Sequence, residues 1–181
     1  MHKNSYEIMS DLSAIALTNM HTPSQVLDVG SKDVNGTYKP LFHDHDYTGL
    51  DAKQGSNVDV VGDAYELPFP DNSFDLVVSG NLLEHLAMPY LAVQEMKRVV
   101  RKNGYVIIIA PYSIHEHKYP LDYFRFLPDA FREFLFGFED VEAGIKVPDE
   151  PLGSGVHSDT WAIGKKGVEN IRERWISTRP K

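Results

Sequence analysis

The residues best suited to chemistry stand at the ends of short apolar runs. Val26-Leu27-Asp28-Val29-Gly30 is one such run, finishing in a carboxylate and a glycine. A second closes as Tyr47-Thr48-Gly49-Leu50-Asp51, a third as Val61-Gly62-Asp63-Ala64 and a fourth as Ser79-Gly80-Asn81. In an open parallel sheet, ligands bind just beyond the carboxyl ends of the strands. A glycine there lets the backbone approach a ligand that a Cβ would block. An acid in the place of Asp51, about 20 residues after the first run, can accept two hydrogen bonds from a ribose diol. Asp63 offers a carboxylate to an exocyclic amino group, beside the Ala64 N–H.

These residues need strands to carry them. Apolar runs fall at Gln25–Val29, Tyr47–Leu50, Val58–Val61, Phe74–Ser79 and Tyr105–Ala110. The first and last are rich in Val, Ile and Leu without alternation, as parallel strands buried on both faces require. An amphipathic helix is predicted over Asn4 to Met20, with Ile8, Leu12, Ile15 and Leu17 near helical spacing, ending at Thr22-Pro23-Ser24. A second helix is predicted from Pro89 to Lys102. Val93, Met96 and Val100 mark its apolar face, Lys97, Arg98, Arg101 and Lys102 its C-terminal end, and Gly104 its stop. A third runs from Pro128 to Phe136, and Glu139–Ile145 with Asp159–Gly164 reads as a terminal strand pair. The alternation predicts an α/β doubly wound, mostly parallel seven-stranded sheet.

Composition narrows the field. The 181 residues, 42% hydrophobic and 24% charged, suit one globular domain. Lys+Arg 18 against Asp+Glu 26 leaves a net charge of −8, which disfavours general binding to nucleic-acid backbones. The only dense basic group is Lys97, Arg98, Arg101 and Lys102. With no cysteine, disulfide scaffolds, thiolate zinc sites and cysteine nucleophiles are all excluded. No leader pattern or membrane-length apolar stretch is seen, so a cytoplasmic protein with no membrane partner is expected.

The ordered series VLDVG, YTGLD, VVGDAYELPFPDNSFDLVVSGNLLEHL and MKRVVRKNGYVIIIAP resembles the class I S-adenosylmethionine-dependent methyltransferases over roughly Val26 to Phe136. The most diagnostic stretch is Asp63 to Asp75. The resemblance implies S-adenosyl-L-methionine as cofactor, with Asp28, Gly30 and Ser31 near its methionine portion. It places Asp51 and Ala52 at the ribose, Asp63 and Ala64 at the adenine edge, and Ser79, Gly80 and Asn81 near the methionine moiety. Gly30 to Gly36 departs from the family's G-x-G-x-G loop, and Pro40 falls where the next helix should begin. A shortened or irregular first helix is therefore expected, with Lys32 or Asn35 near the cofactor rim. A dinucleotide oxidoreductase is disfavoured because the G-x-G-x-x-G cradle is missing.

The acceptor side is assigned to Pro111 to Phe126, which resembles the P-x-D-Y-x-R-F stretch of many bacterial methyltransferases, including sugar and natural-product enzymes. Tyr112, Tyr119, Asp122, Tyr123 and Arg125 are its candidate substrate-binding residues. A base is needed only if the acceptor loses a proton, and His117, His115 and His85 are the candidates. Simpler roles compete: Glu84-His85 as a helix cap, Tyr123, Phe124 and Phe126 as core, and Asp122 with Arg125 as a structural ion pair. His115 and His117 read as surface histidines, so no metal site is expected. Residues 1–22 are expected to form a helix covering the site, 23–165 the core and 166–181 a charged tail, with Gly153-Ser154-Gly155 a turn. So short a chain must cap its site with that helix, the Tyr112–Phe126 segment or the second subunit of a homodimer. The expected activity is methyl transfer to an oxygen or nitrogen of a small-molecule or glycan-type acceptor. A non-catalytic cofactor-binding or partner subunit of the same fold is the alternative, and a nucleic-acid methyltransferase is disfavoured by charge.

Overall fold

The computed structural model describes residues 3–18, 20–148 and 157–167. Strands β1 (Gln25–Val29), β2 (Asp46–Asp51), β3 (Val60–Val61), β4 (Phe74–Gly80), β5 (Val100–Ser113), β6 (Glu139–Lys146) and β7 (Ser158–Lys165) form one seven-stranded sheet in the order β3-β2-β1-β4-β5-β7-β6. The first five run parallel and β7 is antiparallel to both β5 and β6. The predicted architecture holds. Gly153-Ser154-Gly155 and the tail beyond residue 167 lie outside the described residues.

The central strands are buried because they are covered twice. On one face helix α1 (Lys3–Leu17) lays Ile8, Met9, Leu12 and Ala16 over Val26, Leu76, Val78, Ile107 and Ile109. On the other, α2 (Pro89–Val99) and α3 (Pro128–Phe134) pack Val93, Met96 and Phe131 against Leu27, Val77, Val106 and Ile108. Alternate residues of one strand thus feed opposite cores. Ile15 was expected on the buried stripe of α1, yet it is 54% exposed. Met9 and Ala16 take the positions that face the sheet.

Two boundaries differ from expectation for local reasons. α2 ends at Val99, because Val100 turns extended and pairs with Phe74 at the start of β5. Arg101 then reaches the Asp75 carboxylate at 2.9 Å rather than complementing a helix terminus. β3 keeps only Val60–Val61, since Asn57 adopts φ 67 and Val58 N–H turns back to the Gly55 carbonyl. After β1 a 3₁₀ turn at Lys39–Phe42 takes the place of a full helix, with Pro40 in its first turn. This is the irregular first helix the sequence predicts.

Candidate active site

Strand register brings the sequence-predicted carboxylates to one edge. Asp28 stands beside Gly49 on β2 and Val78 on β4, and Asp51 beside Val61 on β3. Gly30, Asp51, Gly62 and Gly80 therefore all fall at carboxyl ends of adjacent parallel strands. Gly30 has φ +86, and a Cβ there would lie 2.9 Å from Leu82, so the turn needs glycine. A Cβ on Gly80 would collide with the Tyr38 hydroxyl.

Asp28 is buried and accepts a 2.7 Å hydrogen bond from the Tyr47 hydroxyl. Burial pushes its carboxyl up to about 7, with the Tyr47 bond opposing and the Asp51 charge assisting. Tyr38 is buried in turn, its hydroxyl without a hydrogen-bond partner, and its pKa is raised by burial and by Asp28, Asp159 and Glu84. Asn81, at φ 56, donates from its Nδ2 to Ser5 Oγ on α1 at 3.4 Å and leaves its Oδ1 unpartnered. Unfilled polar atoms beside several carboxylates suit a ligand end that carries a sulfonium and an ammonium.

The Asp51 carboxylate receives the Lys53 N–H at 3.0 Å and the Lys32 N–H at 3.4 Å, which aims it across the strand ends. Ala52 follows it and is exposed. Ser31 is buried, its hydroxyl donating to the Asn57 carbonyl at 2.8 Å, while Asn57 Nδ2 returns to the Ser31 carbonyl at 2.8 Å. Ser79 is also fully buried and donates to the Val29 carbonyl, so only its backbone faces the edge. The Lys32 side chain lies along Gly55, and Asn35 is exposed. Asp63 is exposed, accepts the Tyr65 N–H at 2.8 Å and precedes a buried Ala64.

Sequence reasoning missed what holds that last loop. Glu95 accepts the Leu67 N–H at 2.9 Å, and Arg98 donates to the carbonyls of Leu67 and Phe69 and to Asp71. Arg98 thus serves the loop, Arg101 binds Asp75, and Lys97 is buried with its ammonium on the carbonyls of Phe134 and Phe136. Burial lowers the Lys97 pKa to about 8. The expected basic group is mostly consumed inside the fold.

On the acceptor side the three histidines separate. His85 leaves a 3₁₀ turn, Leu83–His85, that follows β4, and His117 leaves β5. Their rings meet edge to face at 5.1 Å, and each Nε2 lies 3.7 Å from the same oxygen, Glu84 Oε1. Glu84 is fully buried and both its carboxylate oxygens lack a hydrogen bond. The direct approach of its carboxylate to the ring, and then the charge of Asp122, hold the His117 imidazole's pKa above the ordinary value against the opposing effect of burial. Glu84 was read as a helix cap beside a candidate base; it is the floor of this cluster. His115 is exposed and packs against His157 instead.

The Asp122–Arg125 ion pair forms, at 2.6 Å. Asp122 also accepts the His117 N–H at 2.8 Å, and Arg125 spends further donors on the carbonyls of Ile114, His115 and Phe124. These bonds hold the Asp122 carboxyl well below the usual carboxylate range, the Arg125 guanidinium contributing most. The Asp122 side chain is 1% exposed, with its carboxylate held between Arg125 and the His117 N–H. Tyr112, Tyr119, Tyr123 and Phe124 are exposed, while Phe126 is core. A shallow hollow lined by Lys39, Phe42, His43 and Thr48 lies at the opposite end of β2 and takes no part.

Comparison with known proteins agrees with this geometry. Residues 27–108 match the family model described as a methyltransferase domain. An uncharacterized methyltransferase of Schizosaccharomyces pombe is 41% identical over 125 residues, 65% of this chain and 44% of its own length. A demethylmenaquinone methyltransferase of Staphylococcus aureus is 39% identical over 80 residues, 41% of this chain and 33% of its own. The chain thus spans less than half the length of these relatives. The Burkholderia thailandensis 1,6-didemethyltoxoflavin-N1-methyltransferase, solved with 1,6-didemethyltoxoflavin and S-adenosylhomocysteine, superposes with a TM-score of 0.69 at 17% identity, covering 90% of this chain and 78% of that one. Residues 27–108 therefore match a methyltransferase domain, and the strand order β3-β2-β1-β4-β5-β7-β6 gives the chain the fold of the solved methyltransferases it resembles.

Proposed function

We propose that the protein binds S-adenosyl-L-methionine and transfers its methyl group to an oxygen or nitrogen of a small-molecule or glycan-type acceptor. The observation that carries this reading is the convergence, at one sheet edge, of Asp28, Asp51 and Asp63 with the Glu84–His85–His117 cluster. The bound cofactor supplies a methyl group already activated on a sulfonium. Asp28 and the backbone of Gly30 and Ser79–Asn81 hold the methionine end, where the Tyr38 hydroxyl and Asn81 Oδ1 stand unpartnered. Asp51 takes the ribose hydroxyls, and Asp63 with the Ala64 N–H takes the adenine edge.

The acceptor enters past Tyr112, Tyr119 and Tyr123, with Arg125 bracing the segment through Asp122. In-line displacement needs alignment and exclusion of water more than acid–base help. Where the acceptor must lose a proton, His117 takes it, with Asp122 orienting the ring. His85 is the second candidate, and His115 lies outside the cluster. The test is formation of S-adenosylhomocysteine that depends on an added hydroxyl or amine acceptor. Cofactor binding with no turnover over a broad acceptor panel favours a non-catalytic subunit, the reading that the irregular 30–42 segment supports.

A further inference from the structure

We infer that Glu84, His85 and His117 form a binding site for one divalent first-row transition-metal ion of the zinc class. One ligand atom from each lies within 4.8 Å of the others, and Glu84 Oε1 is 3.7 Å from both imidazole Nε2 atoms. Tetrahedral bonds of about 2.0–2.1 Å place ligand atoms roughly 3.4 Å apart, so the three need only small side-chain shifts to close on an ion.

The outer contacts are those a metal site needs. The His85 Nδ1 faces the Leu121 carbonyl, which can only accept, so an ion bound at Nε2 would leave Nδ1 as the donor to that carbonyl. The His117 Nδ1 faces Asp122 Oδ2 at 3.3 Å, a carboxylate behind an imidazole. The Tyr123 N–H donates to the Glu84 carbonyl at 2.7 Å, tying the segment that carries His117 to the turn that carries Glu84 and His85.

The independent pointer is Glu84 itself. Its side chain is 0% exposed and neither carboxylate oxygen has a hydrogen bond. Buried carboxylates are normally paired, hydrogen-bonded or bound to a metal. The imidazoles stand at 3.7 Å, beyond hydrogen-bond reach, which leaves the central space unfilled. Two nitrogens and one oxygen favour zinc-like ions over magnesium or calcium, which take oxygen ligands. His117 is partly exposed, so an ion can reach the cluster from solvent, and three protein ligands would leave a fourth tetrahedral position open. Resting on the proposed methyl transfer, that position would bind the acceptor's oxygen or nitrogen and lower its pKa; in the metal-loaded protein the acceptor's proton would then pass to solvent, and His117 would act as the base only when no ion is bound.

The test uses the full chain, stripped with a chelator and titrated with Zn²⁺ alone by calorimetry, with metal content counted by elemental analysis. One bound equivalent is expected. His85→Ala and His117→Ala should each weaken Zn²⁺ binding at least about tenfold, while His43→Ala, at the far end of β2, should leave it unchanged. Loading with Co²⁺ should give ligand-field absorption in wild type that is lost in His117→Ala. Circular dichroism of each apo variant shows whether it folds. Substoichiometric uptake, or affinity unchanged in both folded histidine variants, overturns the site. Neither cofactor nor acceptor is present, so the outcome is separate from that of the methyl-transfer reading.

Discussion

Asp122 receives the backbone N–H of His117 at 2.8 Å while its Oδ2 stands 3.3 Å from the same residue's Nδ1. One buried carboxylate thereby holds the chain at His117 and stands behind its ring, on the side away from Glu84. Arg125 fixes the carboxylate in turn. The arrangement makes His117 a positioned group rather than a surface histidine.

His117→Ala should therefore lower turnover far more than cofactor affinity. Asp122→Asn should do the same more mildly, by about 10–100-fold in kcat, the cost of losing an orienting partner. Steady-state kinetics beside a binding titration separates the two effects. A fall in cofactor affinity with kcat preserved contradicts the assignment.

Asp51 faces the strand edge with two backbone N–H groups already on its carboxylate. Asp51→Ala should weaken S-adenosylmethionine binding by about 1.5–3 kcal/mol, the value of charge-assisted bonds to a diol. Equilibrium binding checks this, and unchanged affinity removes Asp51 from the site.

Asp28 makes stability depend on pH. Its folded value of about 7 lies above the ordinary 3.8, because burial disfavours the charge. From about pH 4 to 7 the folded state keeps a proton that the unfolded chain has lost, so stability falls as pH rises through that window. Asp28→Asn should remove this slope and be the more stable protein above pH 7, by about 1–3 kcal/mol. Thermal unfolding at several pH values tests it; parallel curves for the two proteins contradict it. A cation bound beside Asp28 favours its ionised form, so cofactor affinity should rise with pH over the same range.

Arg98 holds the loop from Leu67 to Asp71 by three contacts and Glu95 by two more. Arg98→Ala should cost about 1–3 kcal/mol of stability, since it strands two carbonyls and two carboxylates. It should also weaken cofactor binding through the neighbouring Asp63. Urea unfolding and the binding titration read the two consequences.

Much of this site was legible before any coordinates. Parallel strands buried on both faces must be continuous apolar runs, so β1, β4 and the core of β5 stood out, and their polar ends marked the edge. Helix ends were harder: Lys97 to Lys102 resembles a basic helix terminus, yet β-strand pairing of Val100 with Phe74 overrides it. Glu84 was undervalued because its burial depends on segments far away in sequence. A signal existed: the residues after adjacent parallel strands β4 and β5 must be neighbours, which brings Glu84-His85 toward His117. Tyr38 and Asn57 carried no such signal, since their roles arise from close packing of the Tyr38 ring on Gly80 and from a left-handed turn.

Calorimetric titration of the protein with S-adenosylhomocysteine and S-adenosylmethionine tests the central claim most directly. The strand-end carboxylates predict saturable binding of one equivalent, weakened in Asp51→Ala. No binding of either compound at high micromolar concentration contradicts the account.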